Sequence, residues 1–213
     1  MAYDFNGTTQ YLSVSSAPIT ALPFTMAAWF NSDSVVAGQV ILSLDNGATA
    51  FQGYRLLAAG TVAGDPLRAD TGGAFPNVSL DSSIGYTANT WNHAAGVFTQ
   101  PSVSVSLNGS VNSTTSNFTT FPTVNRFNIG IRLSSGIPGL YLDGRTAEVG
   151  IWNAALTAAE IASLAKGMTC DKVRPQSLVF YAPLVRDLQD VKGGLAITNN
   201  NGATVAAHPR VYA

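Results

Sequence analysis

The chain has 213 residues, a net charge of −1 and 11% charged residues, where about 25% is ordinary for a globular protein. No lysine precedes Lys166, so the chain lacks the basic surface that binding to a phosphate backbone requires, and we expect no nucleic-acid partner. Every apolar run is shorter than the roughly 18 residues of a membrane helix, so we expect no membrane partner.

Most of the sequence alternates apolar and polar residues, which is typical of strands that cover a core with one face. The alternating or short apolar stretches that we interpret as strands are residues 24–30, 38–44, 52–58, 90–98, 101–107 and 126–132. The pair Asn108 and Gly109 is typical of a tight hairpin. Many short strands predict an all-β sandwich or barrel.

One segment departs from this alternation and predicts a short helix at residues 157–166. Thr157 and Glu160 have the spacing of a capping box. Ile161 and Leu164 lie on one helical face, and Gly167 is typical of a residue that ends a helix.

The residues after this helix predict further strands at 177–184 and 202–207. About 30 residues are too few for a core of their own. We therefore expect a single domain over residues 1–213, in which 177–207 complete the sandwich and 208–213 form a tail.

Several motifs follow one another in the order found in a known family. They are the opening segments 3–14 and 24–30, W-N-H-A-A at 91–95, V-S-L-N-G at 105–109, F-N-I-G at 127–130 and the closing strand and helix at 142–161. From about residue 3 to residue 167, the chain resembles the laminin-G-like, concanavalin-A-like lectin/glucanase jelly rolls. The resemblance implies an all-β, antiparallel β-sandwich.

Segments 178–184 and 190–203 are similar to the part that normally begins such domains. Here they come last, so the resemblance implies a circularly permuted jelly roll. The termini of a domain are often close in space, which allows such a permutation.

The ending, with T-N-N-N-G-A and H-P-R-V-Y, is similar to that of proteins encoded by tailed bacteriophages among their virion genes. This implies a non-enzymatic virion structural protein, a capsid decoration or head-surface protein that forms homo-oligomers and binds the major capsid protein or tail subunits. Low charge agrees with extended protein contacts, because the cores of interfaces are depleted in charged residues. The candidate anchoring residues are His208, Pro209, Arg210, Val211 and Tyr212.

The alternative function is a lectin-like, carbohydrate-binding module, either for receptor recognition on a phage tail or fibre or in a cellular protein. The residues near loops that could contact a glycan are Phe51, Tyr54, Phe75 and Tyr86. Trp29, Trp91 and Trp152 fall in strand motifs and are expected in the core.

Two observations bear on location. The single cysteine, Cys170, cannot form an intramolecular disulfide, and the start of the sequence has no charged and apolar segments like those of a secretory signal. We therefore expect that the protein is synthesised without a signal peptide in the cytoplasm of a host, and that its final location is the virion surface.

The sequence predicts no enzyme and no catalytic residues. Its only glutamates are Glu148 and Glu160, and neither lies in the E-x-D-x-E pattern of jelly-roll glucanases. Glycoside hydrolysis needs two carboxyl groups facing one bond. The two histidines, His93 and His208, have no serine or cysteine nucleophile in a recognisable motif.

The sequence also predicts no cofactor. Calcium is the metal for which the sequence offers candidate ligands, because it binds carboxylates and carbonyls in loops. The candidate ligands are Asp45, Asn46 and Asp143, but no dense D-x-D-x-D-G pattern occurs, and Ala147 stands where the family often has an aspartate.

Overall fold

The computed structural model describes residues 1–73, 77–115, 123–185 and 187–212. The strands are β1 Ala2–Asn6, β2 Tyr11–Val14, β3 Phe24–Ser32, β4 Gly38–Asp45, β5 Gly53–Ala59, β6 Pro66–Gly72, β7 Val78–Gly85, β8 Asn92–Phe98, β9 Ser102–Leu107, β10 Ser110–Thr115, β11 Arg126–Ile129, β12 Arg132–Ser134, β13 Ile137–Gly139, β14 Asp143–Trp152, β15 Leu178–Ala182, β16 Ile197–Asn200 and β17 Thr204–Ala206. Helix α1 spans Ala158–Ala165, and a 3₁₀ turn spans Cys170–Lys172.

Within these ranges the strands form two large antiparallel sheets and one small hairpin. The eight-stranded sheet has the order β10-β9-β8-β3-β14-β1-β17, with β15 also paired to β14. The seven-stranded sheet has the order β16-β2-β11-β4-β5-β6-β7, and β12 pairs with β13. The predicted antiparallel sandwich is therefore confirmed.

Apolar side chains from the inner faces of both sheets fill the space between them. The ring of Phe24, on β3, stacks on Phe98 at 4.8 Å between centroids and meets Tyr54 of the opposite sheet edge-on at 5.0 Å. Such aromatic pairs stabilise a core beyond the area they bury.

The C-terminal strands pair with strands from the beginning of the chain. β1 and β15 lie along different parts of β14, since Tyr3 pairs with Thr146 and Ala182 pairs with Val149. β17 pairs with β1, and β16 with β2. Residues 178–206 thus contribute to both sheets, while the single-domain organisation and the circular permutation stay predictions.

A second apolar layer covers part of the outer face of the eight-stranded sheet. Ile161 and Leu164 of α1 pack with Trp152, whose ring nitrogen donates a hydrogen bond to the Val173 carbonyl at 2.8 Å. The predicted short helix is confirmed. In the described part of the chain, no helix is long and apolar enough to cross a membrane.

The tryptophans do not share one environment. Trp152 is fully buried. Trp29 and Trp91 are half-buried, and Trp29 meets His93 edge-on at 5.4 Å. The expectation that all three lie in the core is wrong for Trp29, because Phe24, Met26 and the other residues of the opposite parity on β3 take the inner face.

Candidate functional site

A row of polar side chains crosses the whole outer face of the seven-stranded sheet. Its members are register partners from strand to strand, while their neighbours along each strand point into the core. The polar row consists of Thr198, Ser13, Asn128, Ser43, Arg55, Asp70 and Ser79, in spatial order. Such a row needs either water or protein hydrogen bonds above it.

The middle of the polar row is covered by protein. The chain after β11 folds back, and the Leu133 N–H donates to Asp45 Oδ2 at 3.0 Å. Asn128 Nδ2 donates to the same oxygen at 3.2 Å. The Ser43 hydroxyl lies 2.8 Å from the Ile131 carbonyl and also within hydrogen-bonding distance of Asp45. These contacts hold residues 131–133 on the sheet and bury Asp45 completely.

Arg55 links this buried carboxylate to the open end of the row. Its Nη1 donates to Asp70 Oδ2 at 2.8 Å, and its Nε lies 3.6 Å from Asp45 Oδ1. The Arg55 side chain is only 3% exposed, yet its Nε and Nη2 have no hydrogen-bond partner among the described residues. Burial raises the pKa of Asp45, while its hydrogen bonds and the Arg55 charge oppose that rise.

An aromatic ring and a second guanidinium lie at the rim of this network. Phe51 is 53% exposed and has a backbone φ of 56°, which is costly for a bulky residue unless its neighbours hold it. Its N–H donates to Ser134 Oγ at 3.3 Å, and Arg132 Cζ lies 4.8 Å from the centre of its ring. We call Phe51 with Arg132 the Phe51 platform. Burial, with Arg55 nearby, lowers the pKa of Arg132.

The loop that carries Phe51 is held by its own polar contacts. Asn46 Nδ2 donates to Gln52 Oε1 at 3.1 Å, and Asn46 Oδ1 accepts from the Ala48 N–H at 3.0 Å. The Gly47 N–H donates to Asn125 Oδ1 at 2.9 Å. Phe51 is therefore presented on an ordered loop, which lowers the entropic cost of binding a ligand there.

The calcium candidates are not brought together. The side chain of Asn46 is used within its loop, and Asp45 is enclosed beside the Arg55 cation. Asp143 donates its N–H to Gln39 Oε1, and Gln39 and Asp45 are six residues apart on β4, or about 20 Å. In the described ranges, no three His, Cys, Asp or Glu side chains are grouped to hold a metal.

Of the three aromatic glycan candidates that the structure describes, Phe51 alone is exposed. The predictions for Tyr54 and Tyr86 are wrong: Tyr54 is fully buried between Phe24 and Phe98, and Tyr86 packs edge-on against Phe30. Burial raises the pKa of both phenols. Phe75 lies outside the described residues.

Glu148, which is buried, and His208, which is half-buried, contact each other and do not line an open site. Glu148 Oε2 accepts a hydrogen bond from the Tyr181 hydroxyl at 2.7 Å, and Glu148 Oε1 lies 3.2 Å from His208 Nε2. The tail is thereby fixed to its own sheet, with Pro209 buried beside it.

The other candidate anchoring residues differ in exposure. Arg210 and Tyr212 are exposed and Val211 is half-buried. His93 is also buried, and burial lowers its pKa to about 3.

Comparisons with known proteins agree with this architecture. A native heptameric SAP-like pentraxin from Limulus polyphemus has a TM-score of 0.71 at 16% identity, over 97% of this chain and 94% of that chain. The CBM40 of a Ruminococcus gnavus IT-sialidase bound to α2,3-sialyllactose gives 0.64 at 14% identity, over 77% and 96%. Domain 4 of the Geobacillus stearothermophilus extracellular arabinanase AbnA, in complex with arabinotriose, gives 0.62 at 16% identity, over 77% and 76%.

Some similar structures are binding modules and others come from enzymes, such as the NanB sialidase of Streptococcus pneumoniae, so the likeness shows the fold alone. Comparison with curated proteins returned no match. A family model matches residues 6–162, most of the chain, and the chain therefore belongs to the concanavalin A-like lectin/glucanases superfamily.

Proposed function

We propose that this protein is a non-catalytic carbohydrate-binding module and that glycan binds on the Phe51 platform. The observation that carries the proposal is an exposed aromatic ring, held rigidly by Arg132 and Ser134, beside the polar row. The C–H faces of a sugar ring are apolar and stack on aromatic rings, while the sugar hydroxyls need fixed donors and acceptors nearby.

The polar groups for such a ligand lie around the ring. Arg132 is half-exposed, and the centre of its guanidinium group lies 4.8 Å from the centre of the Phe51 ring. Asp70, whose carboxylate accepts from Ser79 at 3.1 Å, supplies acceptor oxygens at the open end of the polar row. The similar modules that were solved with sialyllactose and arabinotriose support the proposal at the level of the fold.

The test is a binding screen with the unmodified protein, followed by matched variants. An array of oligosaccharides that includes α2,3-sialyllactose and arabinotriose identifies the ligand, and calorimetry measures its affinity. Phe51→Ala should weaken binding about tenfold or more, because the stacking surface is lost. Tyr212→Ala removes another exposed aromatic side chain, at the tail, and should leave the affinity unchanged. Equal affinities of wild type and Phe51→Ala, or no glycan bound at millimolar concentration, would overturn the proposal.

We further propose that the module works on the surface of a bacteriophage particle, as a decoration or head-surface protein that binds the major capsid protein or tail subunits and forms homo-oligomers. Support comes from the tail, whose backbone is fixed to the domain while the Arg210 and Tyr212 side chains stay exposed. Co-sedimentation with assembled, undecorated capsids should show saturable binding at a fixed ratio to the shell protein. A stable monomer that never sediments with capsids would refute this second proposal.

A further inference from the structure

A cavity lies where the tail crosses the end of helix α1, on the side of the eight-stranded sheet. Its volume is about 260 Å³, and its lining residues are Ser163, Lys166, Met168, Lys172 and Tyr212. It shares no residue with the Phe51 platform, which belongs to the loops of the other sheet.

The backbone around this cavity is fixed. The Tyr212 N–H donates to the Gly167 carbonyl at 2.6 Å, and the Thr169 N–H donates to the Tyr212 carbonyl at 3.2 Å. Gly167 has a φ of 99°, and a Cβ there would lie 3.0 Å from the Arg210 carbonyl oxygen and 3.2 Å from the Tyr212 ring. Only glycine therefore allows the tail to cross at this distance and angle.

The same contacts leave two large apolar side chains exposed next to each other. Tyr212 is 66% exposed and Met168 is 41% exposed, although the backbone of both residues is bridged. Methionine adapts its shape to different apolar partners, and tyrosine offers a rigid ring of large area. This combination favours an apolar side chain as the group that enters the cavity.

The rim of the cavity is cationic. The whole chain has only three lysines, and two of them, Lys166 and Lys172, line this cavity. Lys172 Nζ lies 3.2 Å from Asp171 Oδ2 with both side chains about half exposed, whereas Lys166 has no ion pair within the described ranges. A carboxylate near the rim would meet the ammonium group of Lys166, for which the described residues provide no ion-pair partner.

We propose that this cavity docks a short acidic segment of a partner protein. An apolar side chain of that segment packs between Met168 and Tyr212, and an adjacent carboxylate pairs with Lys166 and Lys172. The charge of the rim selects an acidic partner although the chain as a whole is slightly acidic, with a net charge of −1. The proposal does not depend on glycan binding.

The test uses the whole protein and defined peptides. Amide spectra of the ¹⁵N-labelled protein are titrated with acetyl-DDLFDD-amide, and with acetyl-KKLFKK-amide and acetyl-DDSSDD-amide as charge and apolar controls. The first peptide should give saturable shifts at Ser163, Met168 and Lys172, and the two controls should not saturate. Because the proposed ion pairs between the peptide carboxylates and the two lysines are solvent-exposed, added salt should weaken the binding.

Three charge-reversal variants distinguish binding of the peptide in the cavity from non-specific attraction to any lysine on the surface. Lys166→Glu and Lys172→Glu should each weaken the acidic peptide about fivefold or more, and Lys192→Glu, the matched exposed lysine outside the cavity, should have no effect. Tyr212→Ala should weaken binding, whereas Phe51→Ala should not, so failure of this proposal and failure of glycan binding are distinguishable. The proposal is overturned by the absence of saturable shifts at millimolar peptide, by equal binding of a control peptide, or by a Lys192→Glu effect as large as that of Lys166→Glu.

Discussion

Replacement of Arg55 by methionine tests whether the buried network depends on its cation. The substitution leaves Asp45, which is fully buried, without its ion pair, and breaking a buried pair from one side costs about 3–5 kcal/mol. We expect the lower end, about 3 kcal/mol, because Asp45 keeps its hydrogen bonds from Asn128 and Leu133. The free energy of unfolding, measured with urea, reports the loss.

The loss in Arg55→Met should depend on pH. Without the cation, the pKa of Asp45 in the folded protein rises further above its value in the unfolded chain. Between these two pKa values, Asp45 is protonated in the folded protein and ionised in the unfolded chain. The variant therefore loses stability as pH rises from the unfolded pKa of Asp45 through its folded pKa, and its deficit is largest at neutral pH. Asp45→Asn combined with Arg55→Met should remove this pH dependence.

Arg68→Met is the matched control for this experiment. Arg68 lies on the neighbouring strand and pairs with Asp81 at 2.6 Å, a shorter distance than that between Arg55 and Asp45, but both partners are about one-third exposed. Exposed pairs contribute about 0–1 kcal/mol, so burial, and not distance, should decide the effect. Equal losses in the two variants, or a loss in Arg55→Met below about 1 kcal/mol that stays constant from pH 4 to 7, would refute the reasoning.

Three further predictions concern the eight-stranded sheet. His93, with a pKa lowered to about 3 by burial, stays neutral when folded. Its contribution to stability is therefore lost as pH falls below about 6.5, and the stability advantage over His93→Gln should shrink by about 2 kcal/mol between pH 7 and 5; a constant difference would contradict this. Tyr181→Phe removes the hydroxyl that donates to Glu148 and should cost about 2 kcal/mol in thermal or urea unfolding, so an unchanged melting temperature would disprove the role of this bond. Cys170 is buried and its pKa is raised by burial, so a thiol reagent should label it slowly in the native protein and at once in denaturant. Rapid labelling of the native protein would show that the apolar layer around helix α1 opens.

Much of the sandwich follows from residue parity along the strands. On β5, Tyr54, Leu56 and Ala58 share one parity and all three are buried in the core. The segment 52–58 was predicted as a strand from the sequence, so this parity already assigns Tyr54 to the core. Nearness to a loop, which suggests a glycan contact at Tyr54, carries less weight than this alternation. The same argument places Trp29 on the outer face of β3.

The buried state of Arg55 could not be predicted in this way. Parity assigns it to the outer face, where an arginine is normally solvated. Its buried partner Asp45 is enclosed by the chain at 131–133, about eighty residues later, which folds back over that carboxylate. No local pattern encodes that contact, which is why the sequence suggested a loop aspartate for calcium where the structure has a carboxylate enclosed beside a cation.

The two sheets use their outer faces differently, and this difference locates the two proposed sites. An apolar layer that contains Trp152 and Leu164 covers part of the eight-stranded sheet, and Tyr212 and Met168 are exposed at the border of that layer, where they can contact a ligand. The seven-stranded sheet is covered by polar contacts, so fixed hydrogen-bonding groups continue to its rim at Phe51. Because additivity holds for sites that share no contacts, a variant at one site should not alter binding at the other, and any coupling between them would mean that the core transmits it.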